Sequence, residues 1–247
     1  MAYQAVFKRY EIKYMITTEQ KNRIVEAMEP YMALDKYGRT TIRNIYFDTD
    51  NYRLIRRSME KPLYKEKLRI RSYELATPDS KVFIELKKKC KGIVYKRRIS
   101  LPEKDAMAWV CGEIECPNQT QITREIDYFC NFYGGIKPAV YLSYEREAFF
   151  EKNGGDFRVT FDDNILCRQT DLSLCSEPYG ERILGEGLVL MELKCSGGLP
   201  LWMTRTLTSL GISKTSFSKY GVAYRDLIFP ELKLLKPKEE EIHNYVV

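Results

Sequence analysis

The chain has 247 residues, with 40 Lys and Arg set against 34 Asp and Glu for a net charge of +6. A hydrophobic fraction of 44%, with 13% aromatic residues, supplies a core and excludes a chain disordered throughout. The single histidine, His243, sits in the charged end "LKPKEEEIHNYVV", which all but excludes histidine-centred catalysis and leaves carboxylates, lysines, arginines, tyrosines or a metal.

Alternation predicts a first strand over residues 5–16. Thr17 with Gln20 forms a capping-box pattern that opens a helix to Met32, with Ile24, Met28 and Tyr31 on one face. "TIRNIYFDT" reads as a strand with Ile45 and Phe47 on one side and Asn44, Tyr46 and Asp48 on the other. A short helix is expected around 51–59. Residues 63–75, 81–89 and 93–100 read as three further strands. Pro102 starts a helix, and Asn118 with Gln121 caps another that stops at Gly134-Gly135. Strands resume at 138–150, 157–163 and 187–195. "LWMTRTLTSLG" is an amphipathic helix ended by Gly211, and "FSKYGVAYRDLIF" is the last helix. About eight strands with inserted helices is α+β, and so many strands point to a closed antiparallel β-barrel. No linker-like shift in composition precedes residue 231, so a single domain over 1–230 and a charged tail over 231–247 are expected.

Seven cysteines, none spaced as CxxC, indicate a reducing cytosol and argue against zinc. No apolar run approaches the ~18 residues of a membrane span, and "MAYQAVFKRYEIKY" lacks a signal peptide's apolar core, so a cytoplasmic protein is expected. The modest positive charge suits an anionic partner without identifying it.

Alternate residues of a strand share a face. Arg9, Glu11 and Lys13 align, as do Lys67, Arg69 and Arg71. In "FIELKKK", Glu85, Lys87 and Lys89 align, while Val82, Ile84 and Leu86 fall on an apolar face with Lys88. Lys96 aligns with Arg98, Tyr144 with Arg146, Arg158 with Thr160 and Asp162, and Glu192 with Lys194. A sheet with one solvated face produces the same alternation. This face, however, is dominated by Arg and Lys, and Arg is the residue that grips phosphate oxygens. A closed barrel would gather the cations around a lumen, where Glu residues or a polyanion with metal must balance them. Phosphoryl transfer runs on such positioning and charge neutralisation, without an obligatory histidine base.

"FKRYEIKY", "IRNIYFDT", "KLRIRSY", "FIELKKK", "VYKRRI", "YLSYEREAF", "FRVTFDDNI", "LMELK" and "SFSKYGVAY" together resemble a VTC domain, the polyphosphate polymerase branch of the triphosphate tunnel metalloenzymes. The resemblance runs in order from residue 7 to about 228. It implies an eight-stranded antiparallel β-barrel tunnel that binds triphosphate through basic residues, with Mn2+ or Mg2+ held by carboxylates. Carried over by position, it implies phosphate binding by Lys13, Arg69, Arg71, Lys87, Lys96, Arg98, Arg146, Arg158, Lys194 and Lys219, with hydrogen bonds from Tyr46 and Ser218. It gives metal ligation to Glu192 first, then Glu11 and Glu85, and catalysis to Arg69, Arg71, Arg146 and Glu192. The implied reaction moves the γ-phosphoryl group of ATP onto a polyphosphate chain and releases ADP.

Some positions depart from related patterns. Arg9 stands where the cyclase and thiamine triphosphatase branch opens its Glu-x-Glu-x-Lys motif, which favours the polymerase branch. Ser216 stands where some members have a lysine. Neither an SPX domain nor membrane-coupled translocation is implied. A tripolyphosphatase or nucleoside triphosphatase on the same fold stays open as an alternative, as does a non-catalytic module binding polyphosphate or inositol phosphates. Nucleic acid is not expected, because a lumen excludes a duplex. Bland readings also stay open: Glu85 as a cross-strand ion pair, Tyr144 as core, Lys88, Lys89 and Lys91 as an exposed edge or turn, and Arg56 and Arg57 as a solvated helix face.

Overall fold

β1 (Tyr10–Thr17) leads directly into α1 (Thr18–Met28), and the predicted capping box between Thr17 and Gln20 forms at the junction. The protein is described here by a computed structural model covering residues 10–91 and 93–235. Arg9, His243 and the beginning of the predicted first strand lie outside the described residues. The chain continues through β2 (Met32–Asp48), α2 (Arg53–Met59), β3 (Tyr64–Ser72), β4 (Lys81–Cys90) and β5 (Ile93–Pro102). Next come α3 (Glu103–Val110), α4 (Gln121–Tyr133), β6 (Lys137–Glu151), β7 (Arg158–Arg168), β8 (Glu181–Arg182) and β9 (Leu188–Cys195). The last elements are α5 (Leu201–Ser209), β10 (Lys214–Thr215), α6 (Lys219–Ala223), a π-helical turn (Tyr224–Ile228) and α7 (Phe229–Leu235).

The strands form one antiparallel sheet in the order β10-β1-β9-β7-β6-β2-β3-β4-β5, with β8 pairing β7. The eight long strands match the expected α+β architecture. The closed barrel does not form as drawn from sequence: β5 and β10 are the two ends of this order, so no ladder joins them among the described residues. The sheet nevertheless curls far enough for side chains to meet across it. Lys87 Nζ of β4 lies 2.8 Å from Glu11 Oε2 of β1, although five strands separate the two in the order.

Helices cover the outer, apolar face of this curl. α3 and α4 bury Trp109, Val110, Ile126 and Phe129 against Leu68 and Ile70 of β3 and Val82, Ile84 and Leu86 of β4. α1 and α5 bury Ile24, Met28, Met203 and Leu207 against Tyr14, Ile16, Phe161 and Met191. A third cluster lies on the concave side, where Tyr220, Ala223, Tyr224 and Ile228 pack on Ile42, Tyr46, Leu142, Tyr144 and Ile165. The C-terminal helical segment therefore plugs one part of the lumen, and its start, at Ser218 and Lys219, meets the charged part lined by strands. Asp48 fastens the plug. Its fully buried carboxylate accepts from Tyr220 Oη at 2.9 Å and from the N–H groups of Leu54 (2.9 Å) and Ile55 (3.0 Å) at the start of α2.

Several boundaries differ from the sequence expectation. α1 stops at Met28, not Met32: Glu29 keeps helical geometry, but Pro30 has no N–H to continue the helical ladder. Tyr31 consequently leaves the expected helix face and stacks on Trp202 with ring centroids 4.6 Å apart. The cap of α4 is Thr120, not Asn118: Thr120 and Thr123 exchange side-chain-to-backbone bonds at 3.2 and 2.8 Å. β7 runs on past Asp163 through a bulge, with Asn164 at φ 45°. Residues 231–235 of the expected tail belong to α7, and the rest lies outside the described residues. All seven cysteines are free thiols, and burial pushes Cys130 and Cys167 up to about 12, as for inert apolar side chains. Among the described residues no helix is long and apolar enough to cross a membrane.

Candidate functional site

Strand periodicity puts the odd-numbered residues of β3 and β4 on the concave face, with Arg69 paired to Glu85 and Lys67 to Lys87 in register. The next ladder adds Arg98 opposite Glu85 and Lys96 opposite Lys87. Glu85 is the centre of the first cluster and only 1% exposed. Its Oε2 accepts from Arg69 Nη2 at 2.7 Å, and its Oε1 accepts from Arg98 Nε at 2.8 Å and pairs with Lys96 Nζ at 2.5 Å. Burial alone would raise this carboxyl, but Arg69, Arg71, Lys96 and Arg98 outweigh it and hold it well below the usual range.

A second cluster stands on the opposite wall. Asp162 of β7, 1% exposed, takes Arg146 Nε at 2.6 Å on Oδ1, and Arg146 Nη2 at 2.7 Å and Lys219 Nζ at 2.6 Å on Oδ2. Here too burial is overcome by Arg146 and Lys219, so the acid stays ionised. Arg71 links the clusters to the sheet interior: its Nε donates to Asn44 Oδ1 at 2.8 Å and its Nη2 to Tyr144 Oη at 3.0 Å. Arg69 Nη1 donates to Tyr46 Oη at 2.7 Å.

The third group lies on β1 and β9, where Glu11 faces Lys194 and Lys13 faces Glu192 in register. Lys194 Nζ is 3.4 Å from Glu192 Oε2. Burial again works against ionisation, yet Lys194, Lys13, Lys87 and Arg146 keep Glu192 well below the ordinary carboxylate range. Lys13 Nζ donates to the Phe217 carbonyl at 2.7 Å, and Lys67 Nζ donates to Ser218 Oγ at 2.9 Å. Ser218 in turn caps α6 by accepting from the Gly221 N–H.

The structure thus brings the sequence-predicted cations Lys13, Arg69, Arg71, Lys87, Lys96, Arg98, Arg146, Lys194 and Lys219 to one concave face, along with Tyr46 and Ser218. Arg158 faces Lys194 in register but is exposed, its guanidinium 4.8 Å from the Phe150 ring centroid. Lys88 points away, 3.8 Å from both Glu66 and Glu125 on the outer side. Arg56 and Arg57 are exposed on α2, as the bland reading expects.

Three lumen residues were not singled out from sequence as site residues. Asp162 and Lys67 carried a signal, since each shares a strand face with predicted site residues. Tyr144 was open between core and site. Its hydroxyl bonds Arg71 while its ring centroid lies 5.1 Å from the Arg146 guanidinium carbon and 4.2 Å from Lys219 Nζ. Burial raises this phenol, but Arg71, Arg146 and Lys219 reverse the effect and lower it to about 8.

Lys67 is lowered to about 8, by burial first and by Lys13, Lys65 and Lys87 in addition. Between that value and the ordinary lysine range the unfolded chain still holds the proton while the native one has lost it, so this group's cost to folding fades as pH rises. Lys67→Met is therefore expected to be more stable than the wild-type protein at pH 7 without ligand, with the advantage shrinking by pH 10. Urea unfolding of both proteins at the two pH values checks this, and a constant difference would contradict it.

Among the described residues no three His, Cys, Asp or Glu side chains converge as a metal cluster. Glu11 and Glu192 are on paired strands, and the charge of Glu192 adds to burial in opposing the ionisation of Glu11, which Lys87 favours. Two carboxylates fit a hard divalent ion that completes its shell with water and phosphate oxygens, as Mg2+ does. Glu85 fits less well, because both its oxygens already bond cations.

Comparison with solved structures places the fold. A candidate adenylate cyclase from Bacillus halodurans superposes with a TM-score of 0.56 at 16% identity, covering 91% of this chain and 100% of that one. The PH1819 protein of Pyrococcus horikoshii OT3 gives 0.44 at 13% identity over 91% and 99% of the two chains. A mimivirus capping-enzyme triphosphatase gives 0.32 at 10% identity over 83% and 87%. No curated protein matches by sequence. The first of these likenesses shows a shared fold, and the sequence pattern of the VTC domain matches residues 8–228. With the match spanning every described strand, the chain belongs to the VTC domain family.

Proposed function

We propose that this protein is a metal-dependent polyphosphate polymerase that uses ATP. The observation that carries the reading is the excess of cations over carboxylates on the concave face, where Lys13 and Lys67 hydrogen-bond neutral oxygens, the Phe217 carbonyl and the Ser218 hydroxyl. A phosphate chain offers these ammonium groups a full countercharge, which a carbonyl or hydroxyl oxygen does not.

In this reading Arg69, Arg71, Arg98 and Arg146 bind the non-bridging oxygens of the triphosphate, sharing their present partners Glu85 and Asp162 with substrate. Tyr46 and Tyr144 fix the Arg69 and Arg71 guanidinium planes. Lys13, Lys87, Lys96, Lys194 and Lys219 neutralise the charge that develops as the γ-phosphorus–oxygen bond to ADP breaks. A terminal oxygen of the growing chain forms the new bond, and because it is already ionised no side chain has to take its proton. Mn2+ or Mg2+, held by Glu192 with Glu11, would supply Lewis-acid polarisation of phosphoryl oxygens.

Incubation of the purified protein with ATP and Mn2+ tests the reading. Long-chain polyphosphate with equivalent ADP is expected. Free phosphate as the only product identifies a triphosphatase instead, and tight polyphosphate binding without turnover identifies a binding module.

A further inference from the structure

The two faces of the β3–β4 hairpin treat charge differently. On the outer face Lys88 opposes Glu66 in register, and both Glu66 and Glu125 lie 3.8 Å from its ammonium. On the concave face like charges oppose each other three times. Lys67 pairs with Lys87, which also opposes Lys96, and one rung further toward the strand ends Lys65 pairs with Lys89. Like charges placed directly opposite on neighbouring strands are destabilising, so folding alone gives no reason for such a ladder.

The inner rung has partial compensation from Glu11 at Lys87 and Glu85 at Lys96. The outer rung has none. Lys65 Nζ donates to the Ser58 carbonyl at 3.1 Å, and among the described residues neither Lys65 nor the exposed Lys89 lies within ion-pair distance of a carboxylate. The charge of Lys89, with that of Lys61 and Lys87, adds to burial in lowering the Lys65 ammonium. Two residues of strand advance about 6.8 Å, so the Lys65/Lys89 rung lies about 14 Å beyond Arg69 on the same face.

We propose that Lys65 and Lys89 form a second anion subsite, continuous with the lumen through Lys67 and Lys87, that takes the extension of a linear polyphosphate longer than three phosphates. The proposal rests on the reading of the lumen as a triphosphate site. An uninterrupted series of cations on one strand face matches a ligand with one negative charge per repeating unit. It also explains why the same hairpin neutralises Lys88 on its outer face and leaves Lys65 and Lys89 on its concave face uncompensated.

The test is a comparison of chain lengths. Dissociation constants for tripolyphosphate and for long-chain polyphosphate are measured on the wild type, on Lys65→Ala/Lys89→Ala, and on Lys36→Ala/Lys81→Ala, which removes the same charge from exposed positions elsewhere. The Lys65/Lys89 variant should bind long chains about tenfold more weakly, the worth of two exposed charge contacts. Its tripolyphosphate affinity should stay within about twofold. Lys65→Arg/Lys89→Arg should retain long-chain binding, and urea midpoints verify that each variant is folded. Loss of both ligands alike, an equal loss in the Lys36/Lys81 variant, or no loss at all overturns the subsite. A wild type that binds tripolyphosphate tightly and gains nothing from longer chains also overturns it, with the triphosphate reading intact. A wild type that binds neither ligand removes the triphosphate reading first.

Discussion

Glu85→Gln is expected to destabilise the ligand-free protein by about 3–5 kcal/mol, the usual consequence of removing one member of a buried ionic network. The reason lies in how many cations share one carboxylate. Arg69, Arg98 and Lys96 all bond it directly, and Arg71 Nη1 lies 4.0 Å away. The amide keeps the shape and removes the charge that holds four cations together. Urea unfolding should show a lower midpoint with little change in slope. Tripolyphosphate should then stabilise the variant more than it stabilises the wild type, because the ligand supplies the missing negative charge. An equal ligand effect in both proteins would mean that the Glu85 cations do not meet phosphate.

The second large effect concerns Glu192→Gln. With Lys13, Lys87, Lys194 and Arg146 setting its charge state, Glu192 remains ionised across the physiological range and available to a divalent ion. The amide should lower metal-dependent turnover of ATP about a hundredfold or more, within the several kcal/mol that a metal Lewis acid contributes. Metal-free affinity for tripolyphosphate should stay level or increase, since one repelling charge has gone. Turnover at the wild-type rate would remove Glu192 from metal binding. Loss of tripolyphosphate affinity in parallel with turnover would make it an organiser of the neighbouring lysines instead.

The alternation of charge and apolar side chains in "FIELKKK" and "KLRIR" was legible because strand geometry has a fixed period of two. That rule assigned Lys88 to the outer face and Lys87 to the inner one before any contact was known. Helix starts were legible where a capping box was spelled conventionally, as at Thr17 and Gln20. At Thr120 the partner is a second threonine, and Asn118 drew the assignment instead. Pro30, with no N–H to extend the helix, is the local signal that ends α1. β8 and β10 have two residues each, too few for any periodicity. The plug was legible as a helix in "FSKYGVAYRDLIF", but its place inside the curl was not. The bonds between Asp48 and Tyr220, and between Lys67 and Ser218, span 172 and 151 residues, and nothing local marks their ends.

The strict alternation of β3 also limits how this sequence can change. Its ladder with β4 runs without a bulge from Tyr64 to Arg71. One inserted or deleted residue there would rotate everything beyond it to the opposite side, sending arginines beneath α3 and α4 and leucine or isoleucine toward the concave face. Substitutions in this hairpin can be absorbed one at a time, whereas a change in its length must come in pairs. Descendants of this chain are therefore expected to vary in the length of the loops around it long before they vary in the length of the strand itself.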